Sequence, residues 1–156
     1  MKITAYGKPV TQGSKIRTRW AMRDANGDTL APWRDNVRAA AIGVMRRKNS
    51  SGLIVVDSFG TSPVHVVLTF TFARPASHFG TGRNVAMVKP SALPHPSSHA
   101  IGDIDKLTRA CLDALTDAGI WADDSQVVGL VARKVWLGSP IAMDRPGVVI
   151  NILAAS

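Results

Sequence analysis

The sequence has a single cysteine and no long hydrophobic run. Cys111 alone excludes an internal disulfide and a zinc site built from several cysteines, and we expect it to be a buried core residue. The longest strongly apolar run, residues 64–72, is about half as long as a membrane-spanning helix. The first residues lack the apolar segment of a secretory signal. We therefore expect a cytoplasmic protein with no membrane partner.

Acidic residues are also scarce. The 156-residue chain has 11 Asp and Glu against 19 Lys and Arg, which gives a formal net charge of +8 and a pI near 10.4. This excess of positive charge favours an anionic partner, with nucleic acid as the leading candidate. Hydrophobic residues make up 46% and charged residues 19%, a balance typical of a folded domain and not of a disordered chain.

Apolar residues recur at helical spacing in two parts of the chain. The first predicted helix covers residues 33–48, where Arg46, Arg47 and Lys48 would form a basic last turn. The second covers residues 104–118, and Gly119 provides its C-terminal stop. Both patterns place one apolar face against a core.

Strand signals lie between and after these helices. Residues 64–72 are rich in β-branched and aromatic side chains and predict a central strand, and residues 127–136 predict another. A short strand is expected within residues 1–10, and Asn26-Gly27 indicates a small hairpin. We therefore predict an α/β (α+β) fold over residues 1–156: a single domain with a mixed sheet of about four or five strands, packed by two main helices.

The densest acidic cluster lies at the start of the second helix. Asp103 is at the N-cap position, Asp105 is in the first turn, and Arg109 follows on the same face one turn later. A second acidic pair, Asp123 and Asp124, follows the end of this helix. Acids at a helix start are stabilising by themselves, so capping alone could explain the first pair. The sequence does not show at which end of the helix the second pair lies.

In a basic protein, these acids would repel a phosphate unless they hold a divalent cation. Carboxylates suit Mg²⁺, with Mn²⁺ as a possible substitute, and such a metal activates water and neutralises phosphate oxygens in phosphodiester hydrolysis. Arg109 would then bind the scissile phosphate or counter the charge that develops in the transition state, and Lys106 is a second candidate cation. The pattern thus predicts a metal-dependent nuclease.

Three segments of this region resemble the RusA family of Holliday-junction resolvases, which phages and prophages commonly carry. The segments are 102–107 (GDIDKL), 112–119 (LDALTDAG) and 121–127 (WADDSQV), and they match the family in order and spacing. The resemblance implies a homodimeric, Mg²⁺-dependent endodeoxyribonuclease that makes paired symmetric nicks in four-way and other branched DNA. It would serve DNA recombination and repair, in the host cytoplasm if the chain is phage-encoded.

The resemblance also assigns roles to individual residues. It implies that Asp103, Asp105 and Asp124 are the metal ligands and catalytic acids. Arg109 lies where relatives often have a lysine, so the charge is kept while the shape of the cation changes. The role of Asp123 stays open, and Asp113 matches a recurrent family acid that can equally be structural.

Further basic residues are candidates for the DNA surface, and two histidines lie in a long loop over residues 75–102. His95 and His99 can be metal ligands or exposed polar residues. Two other functions remain possible from the residues alone: a non-catalytic protein that binds branched DNA, and a less selective metal-dependent nuclease. The DNA-surface candidates are Lys15, Arg17, Arg19, Arg74, Lys106, Arg133 and Lys134.

Overall fold

The computed structural model describes residues 1–13 and 27–155 in full, together with the backbone of residues 15–17 and 22–24. The elements of these residues form a single α+β domain. In chain order they are β1 (Lys2–Tyr6), β2 (Lys15–Arg17), β3 (Met22–Asp24), α1 (Gly27–Met45), β4 (Arg46–Lys48), β5 (Ile54–Val56), β6 (Val64–Phe72), α2 (Ile104–Ala118), β7 (Val127–Trp136) and β8 (Gly147–Ala154).

The main sheet has four strands in the order β1-β8-β6-β7. β6 pairs parallel with β7 and antiparallel with β8, and β1 pairs antiparallel with β8, so the sheet is mixed as predicted. The predicted central strand, residues 64–72, has these bounds and lies between two neighbours. β8 completes the sheet but was not among the predicted strands, although its alternating burial is the usual pattern of a strand with one covered face.

The two helices pack on one face of this sheet. α2 buries Leu107, Ala110, Cys111, Ala114 and Leu115 against it, and these residues have the predicted helical spacing. Cys111 is fully buried, as expected for a core residue. Burial also raises the pKa of its thiol, because the apolar surroundings disfavour the thiolate.

The first helix differs from the prediction at both ends. α1 begins at Gly27, before Pro32, and Leu30 in its added first turns is only 2% exposed. Proline by itself favours the first position of a helix. Burial of Leu30 nevertheless favours a helix that begins earlier and continues through Pro32. The prediction of a hairpin at Asn26-Gly27 is therefore wrong for Gly27, which lies in α1, while Asn26 is outside the described residues.

The basic residues at the end of the first predicted helix form a strand instead. β4, residues Arg46–Lys48, pairs antiparallel with β5. The Asn49 side chain closes the hairpin turn, because its Oδ1 accepts from the amides of Ser51 (3.0 Å) and Leu53 (2.9 Å). Local side-chain bonding at Asn49 thus ends the helical pattern before the basic residues.

Residues 75–102 form a long loop, as predicted, with three short 3₁₀ turns at Ala76–His78, Gly82–Asn84 and His99–Ile101. The loop leaves the end of β6 and returns to the start of α2. No helix in the described part of the chain is long and apolar enough to cross a membrane.

Candidate active site

Asp103 begins α2 but does not cap it with its side chain. The residue has the extended N-cap conformation, and its backbone oxygen accepts from Leu107 N at 3.1 Å, yet its carboxylate forms no capping hydrogen bond. The carboxylate instead pairs with Lys106 Nζ at 3.0 Å. This hydrogen bond and the positive charge of Lys106 lower the pKa of Asp103. The carboxylate therefore pairs with a side chain of the helix and not with its first amides.

Asp105 and Arg109 extend this charged surface along the helix. Asp105 is in the first turn of α2, Arg109 follows one turn later, and both side chains are exposed. Within the part of the chain that the structure describes, neither side chain has an ion pair or hydrogen bond to a neighbour. The start of α2 therefore presents two carboxylates with a guanidinium one turn away.

Two hydrogen bonds and one close approach hold the start of α2 in place. Gly102 has φ +86° and ψ 169°, a conformation open mainly to glycine, and a methyl group there would overlap the Thr11 side chain. Gly102 O accepts from Lys134 Nζ at 2.9 Å, and Lys106 O accepts from Gln12 N at 3.1 Å. Sequence reasoning missed Thr11, Gln12 and Gly102, because their role is visible only from contacts between distant segments.

The second acidic pair lies beyond the other end of α2. The helix ends at Gly119, as predicted, where φ is +80°. Asp123 caps a 3₁₀ turn over Asp124–Gln126: its carboxylate accepts from Ser125 N at 2.9 Å, and Gln126 Oε1 accepts from Asp123 N at 3.0 Å. The bonds to Ser125 lower the pKa of Asp123. Asp124 is the first residue of this turn and its side chain is exposed, so the capping role belongs to Asp123 and not to Asp124.

The two acidic pairs are far apart within one chain. α2 has 15 residues, and a helix of that length is about 22 Å long. Accordingly, no group of three or more possible ligands among His, Cys, Asp and Glu lies close enough to hold a metal within residues 1–13 and 27–155. Asp103, Asp105 and Arg109 thus belong to the first part of α2, and Asp124 lies beyond its other end.

The predicted DNA-surface residues fall into different environments. Arg133 is exposed on β7, whereas Lys134 and Lys106 are half-buried and bind Gly102 and Asp103. Arg74 is half-buried, with Nη1 donating to Leu93 O at 3.1 Å and its guanidinium 5.2 Å from the Trp136 ring centre. The predictions for the side chains of Lys15, Arg17 and Arg19 lie outside the described residues.

The open questions about Asp113 and the two histidines also have a structural answer in part. Asp113 lies 3.7 Å from Arg34 of α1, which also contacts Asp117 at 2.6 Å, so Asp113 takes part in a contact between the two helices. His95 and His99 are exposed, and only His99 is close enough to affect the charge of Asp103.

The donor atoms at the start of α2 fit a hard divalent cation. Mg²⁺ is commonly held by one or two carboxylates, several waters and substrate phosphates, which matches the pair Asp103 and Asp105. Comparison with protein families matches residues 6–152 to the family described as endodeoxyribonuclease RusA. Comparison with curated proteins gave no match. The chain therefore belongs to the RusA family of endodeoxyribonucleases, which resolve Holliday junctions.

Proposed function

We propose that the start of α2 is the cleavage site, with Asp103 and Asp105 binding Mg²⁺, for which Mn²⁺ can substitute. The single observation that carries this proposal is that Asp103 is at an N-cap position without capping, while Asp105 is exposed beside it. When bound there, the metal would supply Lewis-acid activation of water and neutralisation of the phosphate oxygens. A resolvase acts where DNA is, which agrees with the expected cytoplasmic location, in the host cell if the chain is phage-encoded.

Arg109 and Lys106 both bring positive charge to the proposed site, and each has a different role. Lys106 Nζ pairs with Asp103 and lowers the pKa of that carboxyl group. Arg109 has an exposed guanidinium, whose planar donors suit a phosphate of the cut strand. In the proposed site Arg109 binds and orients the scissile phosphate, and Lys106 orients Asp103.

We further propose that Asp124 completes this site from a second copy of the chain. β7 is an edge of the four-stranded sheet, and apolar side chains along it are exposed: Val128 by 60%, Leu130 by 49% and Val131 by 44%. An exposed apolar edge strand is a ready surface for pairing with another strand. A two-fold dimer uses the same surface on both copies, and two β7 strands can pair antiparallel in this way.

The direction of β7 supports the same arrangement. Asp124 lies just before the start of β7, whereas Lys134, near its end, binds Gly102 next to Asp103. In an antiparallel β7 pair, the start of one strand lies beside the end of the other. Asp124 of one copy would therefore approach Asp103 and Asp105 of the other, and the dimer would have two equivalent sites for paired nicks.

Mixing two inactive variants tests this arrangement. Asp105→Asn and Asp124→Asn proteins are each expected to be inactive on a four-way junction in Mg²⁺. If a site combines residues of two copies, a mixed dimer has one intact site, so an equal mixture should regain about one quarter of the wild-type sites by random exchange. A strand-resolved gel would show nicks in one strand of each junction, without paired cuts.

The control is a mixture of Asp103→Asn and Asp105→Asn proteins, which alter the same side of the site. If the sites are shared, one site of each mixed dimer lacks Asp103 and the other lacks Asp105. No activity should therefore return. Recovery in this control, or no recovery in the first mixture, would contradict the shared site. Cleavage by Asp105→Asn protein alone would contradict the metal site itself.

Substrate selectivity needs a separate measurement. Equal concentrations of four-way junction, linear duplex DNA and RNA should be compared in Mg²⁺ and in EDTA. A resolvase should cut the junction in paired positions, lose activity in EDTA and leave the other two largely intact. Equally fast cleavage of linear duplex would favour the less selective nuclease.

A further inference from the structure

Residues 78–89 form a compact projection within the long loop, which we call the 78–89 loop. Phe79 and Val88 form a β-bridge, and the amides of Gly80 and Lys89 donate to Met87 O (2.9 Å) and His78 O (2.8 Å). A 3₁₀ turn at Gly82–Asn84 closes its far end. The loop thus has its own backbone bonds, although all residues from 81 to 90 are exposed.

The far end of this loop exposes large apolar side chains. Val85 is 66% exposed, Met87 63% and Val88 46%. Their neighbours Arg83 and Lys89 are basic, and no acidic residue occurs between Asp57 and Asp103. Exposed apolar groups that have basic and no acidic neighbours in the sequence are complementary to nucleic acid, in which apolar base faces lie between anionic phosphates.

The base of the 78–89 loop is fixed at the same end of the sheet as the proposed cleavage site. The His78 ring packs edge-on against Trp136 at a centroid distance of 5.3 Å. Leu93 O, beyond the loop, accepts from Arg74 Nη1 (3.1 Å) and Trp136 Nε1 (3.0 Å). Trp136 ends β7, two residues after Lys134, which binds Gly102 next to Asp103. DNA held at Asp103 would therefore pass near this loop.

We propose that the 78–89 loop is an apolar wedge that inserts Val85 and Met87 between bases at the branch point of the junction. This inference rests on the proposed location of cleavage at Asp103 and Asp105. Base pairs at a branch point are already incompletely stacked, so a wedge opens them at lower cost than the base pairs of a linear duplex. The loop would then select branched DNA and open the strand that is cut, while Arg83 and Lys89 contact the flanking phosphates.

A fluorescent base at the branch point measures this opening without cleavage. A four-way junction with 2-aminopurine at the branch point is titrated in EDTA with full-length wild-type protein and with the double variant Val85→Ser, Met87→Ser. Wild-type protein should raise the fluorescence about twofold or more as the base unstacks, and the double variant should bind without this rise. The matched control is Ile141→Ser, Leu153→Ser, which changes two apolar side chains, 51% and 59% exposed, outside this loop.

Cleavage in Mg²⁺ gives a second readout that a folding defect would not reproduce. The double variant should cut a fully paired junction about tenfold more slowly than wild type, because the strand is not opened. A junction with two unpaired nucleotides at the branch point already has the open form. The double variant should cut this junction at the wild-type rate, and a variant that had merely lost structure would cut neither.

Several results would overturn the wedge. These are no fluorescence rise with wild-type protein, an undiminished rise with the double variant, an equal loss in the control pair, or failure of the unpaired junction to restore cleavage. A change of oligomer mass in the double variant would assign the loop to contacts between copies instead. If Asp105→Asn protein still cleaves while the fluorescence results hold, the proposed cleavage site fails, and what remains of the inference is that Val85 and Met87 open the branch point.

Discussion

An aspartate occupies an N-cap position at each end of α2, but the two aspartates have different hydrogen-bond partners. Asp103 and Asp123 both occupy an N-cap position, before α2 and before the 3₁₀ turn that follows it. Asp123 accepts a backbone hydrogen bond and completes a capping box with Gln126. Asp103 caps nothing, and its carboxylate pairs with Lys106. An acid that is not used for capping, although its position favours it, is available for chemistry.

Asp105 and Asp124 also differ in the charged groups that lie near them. Asp105 has the guanidinium of Arg109 one helical turn away and the carboxylate of Asp103 before it, whereas the acid next to Asp124 is Asp123, whose carboxylate already caps the 3₁₀ turn. A single chain thus has an incomplete set of acids at each end of α2. Two copies, related by a two-fold axis, can complete both sets at once.

The largest expected effect is the loss of cleavage on removing one acid from the start of α2. Asp105→Asn removes a negative ligand while keeping size and shape, so cleavage of a four-way junction in Mg²⁺ should fall by about 100-fold or more. Asp117→Asn is the control on the same helix, because Asp117 is exposed and its ion-pair partner among the described residues is Arg34 of α1. Equal losses in both variants would mean that the effect is general to the helix.

The next largest effect is a loss of stability when either of two glycines is replaced by alanine. Gly102 and Gly119 flank α2 and both have positive φ, but only at Gly102 does an added methyl group meet another side chain. Gly102→Ala should therefore lower the free energy of unfolding by about 3 kcal/mol, and Gly119→Ala by about 1 kcal/mol. Urea unfolding measures both values. Below its unfolding transition, the Gly102 variant should still cleave poorly, because Asp103 is displaced, and the Gly119 variant should cleave normally.

The strands and helices were predictable where the local pattern and the tertiary structure agree. α2, β6 and β7 have the predicted bounds because their apolar spacing, the stop at Gly119 and the β-branched runs all favour the same structure. α1 extends beyond its predicted start because Leu30 is buried, a contact that no local pattern reveals. β4 replaced a predicted helical turn because the Asn49 side chain closes a hairpin.

The candidate site was predictable in its residue types but not in its geometry. Helical spacing places Asp105 and Arg109 on one face of α2, one turn apart, and Asp103 precedes them at the N-cap position. The position of Asp124 depends on the chain path after Gly119, and the link between Lys134 and Gly102 joins residues 32 positions apart. Neither the position of Asp124 nor the hydrogen bond between Lys134 and Gly102 can be read from the local sequence pattern. Lys134 binds the backbone beside Asp103, and its predicted contact with DNA stays a prediction.

A smaller effect distinguishes the adjacent acids Asp123 and Asp124. Asp123→Ala removes the cap of the turn and should lower the unfolding temperature by about 3 °C, with little loss of cleavage by folded protein. Asp124→Ala should leave the unfolding temperature unchanged and abolish cleavage. Thermal unfolding and a junction assay on the same preparations separate the two. The reverse result would exchange their roles and move the third ligand to Asp123.

The smallest expected effect concerns the contact between the two helices away from the site. Arg34 contacts Asp117 at 2.6 Å and Asp113 at 3.7 Å, and the side chains are partly exposed to solvent. Because exposed ion pairs contribute little, Arg34→Ala should lower the free energy of unfolding by about 0.5 kcal/mol and leave cleavage unchanged. Asp113→Asn should behave in the same way if Asp113 is structural. Loss of cleavage with Asp113→Asn, but not with Arg34→Ala, would instead give this acid a part in the site.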